Sequence, residues 1–191
     1  MLNNSSNLPA SHHEQDSLLA AIHEEVTLQA YDPRWPGLFA AERDRLRLLS
    51  PQLPVRLVDI QHIGSTAVPG LAAKPVIDML AGVESMAAAE ALLAPLCAYG
   101  YTTSAEFNAS LNDRKWLMRW VEGRRTHHLH IVIHGGKVWA QRLRFRDALR
   151  ADPALAARYA ALKAELAAKH PDDREAYTDG KAAFVQAASE G

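Results

Sequence analysis

The sequence predicts an α/β fold of the α+β kind: a mixed sheet flanked by helices, with a helical C-terminal third. Three observations carry this expectation. Short runs rich in Val, Ile and Leu alternate with segments of helical periodicity from residue 32 to residue 100. Two strand-like runs then meet at a tight turn around Gly123. Beyond Lys137 every patterned segment reads as a helix.

In chain order, residues 26–31 are short and extended, and Asp32-Pro33 offers an N-cap followed by a proline suited to a first helical turn. Trp35, Leu38, Phe39, Leu46 and Leu49 recur at helical spacing, with Glu42, Arg43, Asp44 and Arg47 on other faces, until Pro51 and Pro54 end the helix. Residues 55–63 form a strand pattern that stops at Gly64. The stretch 64–71 holds two glycines and a proline, which predicts a turn followed by a short or broken helix. Residues 76–83 are apolar on both faces apart from Asp78, the pattern of an interior strand covered on both sides. One helix is predicted over 86–99, closed by Gly100, and 101–103 begins a further strand. Strands follow at 115–122 and 126–134, the second ended by Gly135-Gly136. Alternation puts His128, His130, Val132 and His134 on one face of that second strand and His127, Leu129, Ile131 and Ile133 on the other. Helices are predicted at 138–150, 153–170 and 173–189, with Asp152-Pro153 and Pro171 as breaks.

Bulk properties narrow the function classes. A chain of 191 residues that is 48% hydrophobic and 23% charged has material for one sizeable core and little for two. The expected organisation is a disordered Asn/Ser/His lead-in over residues 1–23 and one domain over 24–191. A net charge of −1 creates no chain-wide field toward nucleic acid or an anionic membrane, so any polyanion site is local. Apolar runs are interrupted by Asp78, Glu84 and Glu90 before they reach a membrane-spanning length. The one cysteine, Cys97, falls in a helical pattern and suits a buried thiol in a reducing cytoplasm.

Few residues carry candidate chemistry. Gly64-Ser65 directly after a strand lets backbone amides and a hydroxyl approach phosphate oxygens, although such pairs are also ordinary turn formers. Asp78 lies thirteen residues beyond Ser65 in an apolar strand. Desolvation there calls for a metal ion, a cation such as Lys74, or backbone donors. His128 and His130, two apart on one face, suit joint binding of a metal or a phosphate; histidines on a half-exposed strand are also common surface residues. Arg142, Arg146 and Arg150 share a helix face that can meet a phosphate or pair with neighbouring acids. Trp116 and Trp120 alternate with charge and fit core positions.

The stretch Gln61-His62-Ile63-Gly64-Ser65-Thr66-Ala67-Val68-Pro69-Gly70-Leu71-Ala72-Ala73-Lys74-Pro75-Val76-Ile77-Asp78 resembles the signature of the GrpB family, whose members also occur fused to dephospho-CoA kinase. Similar blocks recur in the same order at 31–36, 125–130, 143–147, 159–163 and 177–181, so the resemblance spans about residues 24–186. It implies a nucleotidyltransferase-like fold, in which Gly64 and Ser65 hold a nucleoside triphosphate and Asp78 binds a divalent metal. Beside what the resemblance implies, the residues themselves add Thr66, Lys74 and Arg146 to the candidate phosphate-binding set, and His128 and His130 to Asp78 as candidate metal ligands. Magnesium, manganese and zinc are the metals considered.

The chain departs from the superfamily pattern at Leu80, where a second acid usually stands. Two-metal phosphoryl transfer needs several anionic ligands, and this strand supplies one. Two functions therefore stay open: a nucleotidyltransferase with Asp78 as its catalytic acid, and a non-catalytic accessory domain that holds a nucleotide or phosphorylated metabolite. A plain Lys74–Asp78 structural pair is the third reading.

Overall fold

Asp32 caps from outside the first helix. Its Oδ1 accepts from the Arg34 amide at 2.8 Å, and helix α1 then runs Trp35–Leu49 with Pro36 in its first turn. The molecule, described over residues 26–190 by a computed structural model, thus starts α1 slightly later than Asp32-Pro33 suggested. The expected lead-in over 1–23 lies outside the described residues.

Five strands follow: β1 Asp59–Ile63, β2 Ile77–Val83, β3 Tyr101–Thr102, β4 Lys115–Val121 and β5 Arg124–Ile133. They form a mixed sheet in the order β1-β2-β5-β4-β3, in which β2 and β5 run parallel and the other neighbours antiparallel. β1 is shorter than the 55–63 run of the sequence, because residues 55–58 precede the ladder. The β4–β5 hairpin turns at Glu122 and Gly123, both at positive φ (51° and 72°), the backbone of a two-residue loop that follows strand twist.

The helices between strands depart most from expectation. Residues 86–99 split into α2 (Met86–Ala91) and α3 (Leu93–Ala98), because Pro95 has no amide to return to the Ala91 carbonyl. A short helix α4, Ala105–Ser110, was not anticipated; Ser104 Oγ caps it by accepting from Phe107 N at 3.1 Å. α5 (Lys137–Ala151) and α6 (Pro153–Lys169) follow, α6 capped by Asp152. The last expected helix is two, α7 (Arg174–Asp179) and α8 (Ala182–Glu190), separated at Gly180, where a Cβ would strike Leu166.

The alternation read from β2 and β5 sorts the sheet into two faces. Ile77, Met79, Ala81, Leu129 and Ile131 pack under Trp35 and Leu46 of α1, under Leu92 at the α2–α3 junction and under Leu96 of α3. Each fully buried side chain of this size contributes roughly 1.5–3 kcal/mol. On the opposite face Leu80 and Val132 meet Ile63 and Trp139. There Phe145, Leu149 and Tyr159 of α5 and α6 close over Val68 and Leu71. The C-terminal third therefore roofs the face that carries Asp78. Among the described residues no helix is long and apolar enough to cross a membrane.

Candidate functional site

Register brings the polar residues together. Ile63 pairs with Asp78 across the antiparallel β1–β2 ladder, so the next residue, Gly64, turns directly beside the Asp78 carboxylate. Gly64 has φ +71°, and a Cβ there would collide with Asp78 Oδ2, so both conformation and space require glycine. Ser65 then opens a short 3-10 turn, Ser65–Ala67. On the other side of β2, Asp78 pairs with His128 across the parallel β2–β5 ladder, and His130 lies two residues along the same face.

His128 Nδ1 stands 2.9 Å and His130 Nε2 3.9 Å from Asp78 Oδ1. Among the described residues, one ligand atom from each of these three groups lies within 4.8 Å of the others. The Asp78 side chain keeps 30% of its surface open. Burial pushes its carboxyl up, and the hydrogen bonds and charge of His128 and His130 more than reverse this, leaving it well below the usual carboxylate range. Burial also dominates the imidazoles: His128 falls to about 4 and His130 falls too, so both rings are neutral near pH 7.

Beside this trio stands a wall of cations. Lys163 of α6 donates from Nζ to Ser65 Oγ at 3.0 Å and to the Ala72 carbonyl. Lys74 and Lys181 place their ammonium groups 5.4 Å and 4.0 Å from the Tyr177 ring centroid. Desolvation lowers Lys74 and Lys163 to about 8 and Lys181 to about 7. Arg142 and Arg174 are lowered by burial as well, and the Asp78 charge acts on both of them and on Lys74 and Lys181.

Gly64, Ser65, Lys74, Asp78, His128 and His130 thus converge, whereas Thr66 and Arg146 go elsewhere. Thr66 is 1% exposed; its hydroxyl pairs with His62 Nε2 at 3.0 Å and reaches the Val76 carbonyl at 3.5 Å, which ties the loop internally. Arg146 donates to Gln61 Oε1 at 3.0 Å and the His62 carbonyl at 3.1 Å, and so pins α5 to β1. Arg150 holds the Ala67 carbonyl at 2.9 Å, which leaves Arg142 as the member of that helix face turned toward Asp78. The contact partners of Asp78 among the described residues are the two histidines, not Lys74. Lys163, Lys181 and Arg174 were not singled out from sequence. Two of them fall in the 159–163 and 177–181 blocks, but helical spacing gives no hint that these blocks face β2.

A family model described as GrpB protein matches residues 25–190. The chain belongs to the GrpB family. It is 37% identical over 181 residues to UPF0157 protein YqkA of Bacillus subtilis (strain 168), covering 92% of this chain and 51% of YqkA, so it spans about half that relative. Glutamate-rich protein GrpB of Alkalihalophilus pseudofirmus is 36% identical over 176 residues, with 88% of this chain and 96% of that protein covered. A dephospho-CoA kinase of Mycolicibacterium paratuberculosis is 32% identical over 174 residues, covering 80% of this chain and 42% of the kinase, in line with the expected fusion. Among solved structures, conserved protein GrpB from Enterococcus faecalis matches with a TM-score of 0.73 at 34% identity, over 86% of this chain and 95% of that one. The mixed sheet with a helical C-terminal third is therefore the fold of this GrpB-family chain.

Proposed function

We propose that this domain binds a nucleotide or another phosphorylated small molecule together with one divalent metal ion in the cleft between Ser65, Asp78 and His128. One observation carries the reading: four basic side chains, Lys74, Lys181, Arg142 and Arg174, feel the charge of a single carboxylate whose contacts are neutral imidazoles, an arrangement that an anionic ligand would complete.

The donor set fits a metal. Zinc ligands at about 2.0–2.1 Å stand about 3.4 Å apart in a tetrahedron, and the 2.9 and 3.9 Å separations around Asp78 straddle that value. The Asp78 carboxylate holds the His128 proton on Nδ1, where a metal would displace it, and the far nitrogens, His128 Nε2 and His130 Nδ1, are buried without a hydrogen-bond partner among the described residues. Two imidazoles with one carboxylate suit zinc or manganese better than magnesium, which prefers oxygen ligands. A metal held there would neutralise phosphate charge, while Ser65 and the wall would orient the phosphates.

Leu80 speaks against two-metal nucleotidyl transfer in this cleft. It is fully buried against Ile63, Val132 and Trp139, so the place where a second acid would stand belongs to the core. The test is a thermal-shift panel of Mg²⁺, Mn²⁺ and Zn²⁺ crossed with ATP and tripolyphosphate. A ligand at a hundred times its Kd adds about 2.7 kcal/mol, roughly 5–10 °C for a domain of this size. Zn²⁺ or Mn²⁺ should give such a shift, magnesium a smaller one, and Asp78→Asn should abolish the metal component. A metal shift that survives Asp78→Asn refutes the assignment, and nucleotide cleavage in the same mixtures would decide against the accessory version.

A further inference from the structure

We propose that Ser65 is a nucleophile with Lys163 as its general base, so that this cleft supports group transfer through a covalent seryl adduct. The geometry comes first. Lys163 extends from α6 and is 2% exposed, with Nζ 3.0 Å from Ser65 Oγ. Its second bond, to the Ala72 carbonyl, takes one N–H and fixes the rotation of the amine. A tetrahedral nitrogen anchored in this way directs another of its positions at the serine oxygen.

The surroundings favour the neutral amine. The groups that face Lys163 are Ser65 and Ala72 from the loop, the Tyr159 ring 5.0 Å from Nζ on its own helix, and the Lys181 cation from the α7–α8 junction. No carboxylate lies in ion-pair contact with it among the described residues. A buried ammonium without an anionic partner is costly, and desolvation brings Lys163 to about 8, so about a tenth of it can accept a proton at pH 7 and about half at pH 8. Ser65 itself is partly exposed, at the corner where β1 ends and the 3-10 turn begins.

The step balances without an added oxidant or reductant. Ser65 gives its hydroxyl proton to Lys163 Nζ as Oγ bonds to the phosphorus of a phosphoric anhydride or ester. The bond from phosphorus to the leaving oxygen breaks, and that oxygen takes the proton back from Lys163. Water then repeats the sequence: it gives a proton to Lys163, bonds to phosphorus, and expels Ser65, which recovers its proton. The choice of a phosphoryl donor rests on reading the cleft as a phosphate site; the activated serine does not.

The test uses an alkyl fluorophosphonate on the full chain with EDTA present, read by intact mass and peptide mapping from pH 6 to 9.5. The expected result is one adduct on Ser65, formed about tenfold faster per pH unit below pH 8 and levelling above it. Ser65→Ala should remove the adduct, and Lys163→Met should slow it about 100-fold or more. Lys163→Arg keeps the charge but holds its proton throughout this range, so it should lose labelling while its thermal melt confirms the fold. No adduct on Ser65, or labelling that survives Lys163→Arg, overturns the proposal. Metal and tripolyphosphate binding by the unmodified chain is scored separately: binding without labelling sinks only the nucleophile, and labelling without binding sinks only the phosphate-site reading.

Discussion

Two inward-facing carboxylates in this molecule live under opposite rules. Glu42, on α1, is 3% exposed and answered by contact: Tyr101 Oη donates to it at 2.5 Å, Arg45 Nε reaches both oxygens at 3.3 Å, and Arg119 closes on Oε2. Arg45 is itself braced by the Tyr99 carbonyl at 2.9 Å. Asp78 has neutral imidazoles in contact, while Lys74 and Lys181 lie over the Tyr177 ring instead of pairing with it. A carboxylate neutralised by touching cations has finished its work as structure. One whose cations stand back still has charge for an anion or a metal to answer.

This contrast should be widest in stability. Glu42→Gln removes the charge that Arg45 and Arg119 share. Breaking a buried pair costs 3–5 kcal/mol in general, and about 3 is expected here because those arginine side chains remain 28% and 24% exposed. Asp78→Asn keeps an oxygen for His128 to donate to, and it should cost less than about 1.5 kcal/mol. Urea denaturation of the two variants checks the order. Equal losses would make Asp78 as structural as Glu42.

The same contrast shows how much of the site was legible in the sequence. Asp78 announces itself as the lone charge in an apolar strand, and Gly64 and the alternating histidines announce themselves by local chemistry. Parallel pairing of β2 with β5 then aligns Asp78 with His128, a register that period-2 patterning allows but does not specify. Glu42 was invisible for the opposite reason: it sits among charged residues on α1, and only its partners on β3 and β4 reveal why it is buried. The cation wall was hidden too. Lys163 meets Ser65 across 98 residues of sequence, and the direction in which a helical lysine points depends on how the C-terminal helices pack over the loop. Arg146 shows the converse error, since its helix face was right and its target was the edge of β1.

Acid should sharpen the distinction by a smaller amount. His128 titrates near 4 in the folded chain, mainly because burial disfavours its charged form, against an ordinary 6.5. The unfolded chain therefore binds this proton first. The stability held by the neutral ring is complete above pH 6.5 and drains away as pH falls toward 4, a loss of about 2 kcal/mol at pH 5. His62, also near 4, adds a slope of the same sign, so the difference between the parent chain and His128→Asn in EDTA isolates the contribution of His128. Parallel pH curves for the two proteins would mean that the imidazole beside Asp78 is not buried in neutral form.

The smallest effect, and the one most specific to the wall, lies on the alkaline side. Lys181 near 7 and Lys74 and Lys163 near 8 sit below the 10.5 of a free lysine because burial penalises their charge. Between pH 7 and 10 the unfolded chain holds more protons than the folded one, so stability should rise with pH, and the share of partly exposed Lys181 in that rise should be about 1 kcal/mol once solvent screening is allowed for. Tripolyphosphate should reverse that slope. By favouring the charged lysines it stabilises most near pH 7 and least near pH 10, and Lys181→Met should flatten both curves. If melts of the parent chain and Lys181→Met stay parallel from pH 7 to 10, with and without tripolyphosphate, then Lys181 is as well solvated as any surface lysine and the cleft has no unmet demand for an anion.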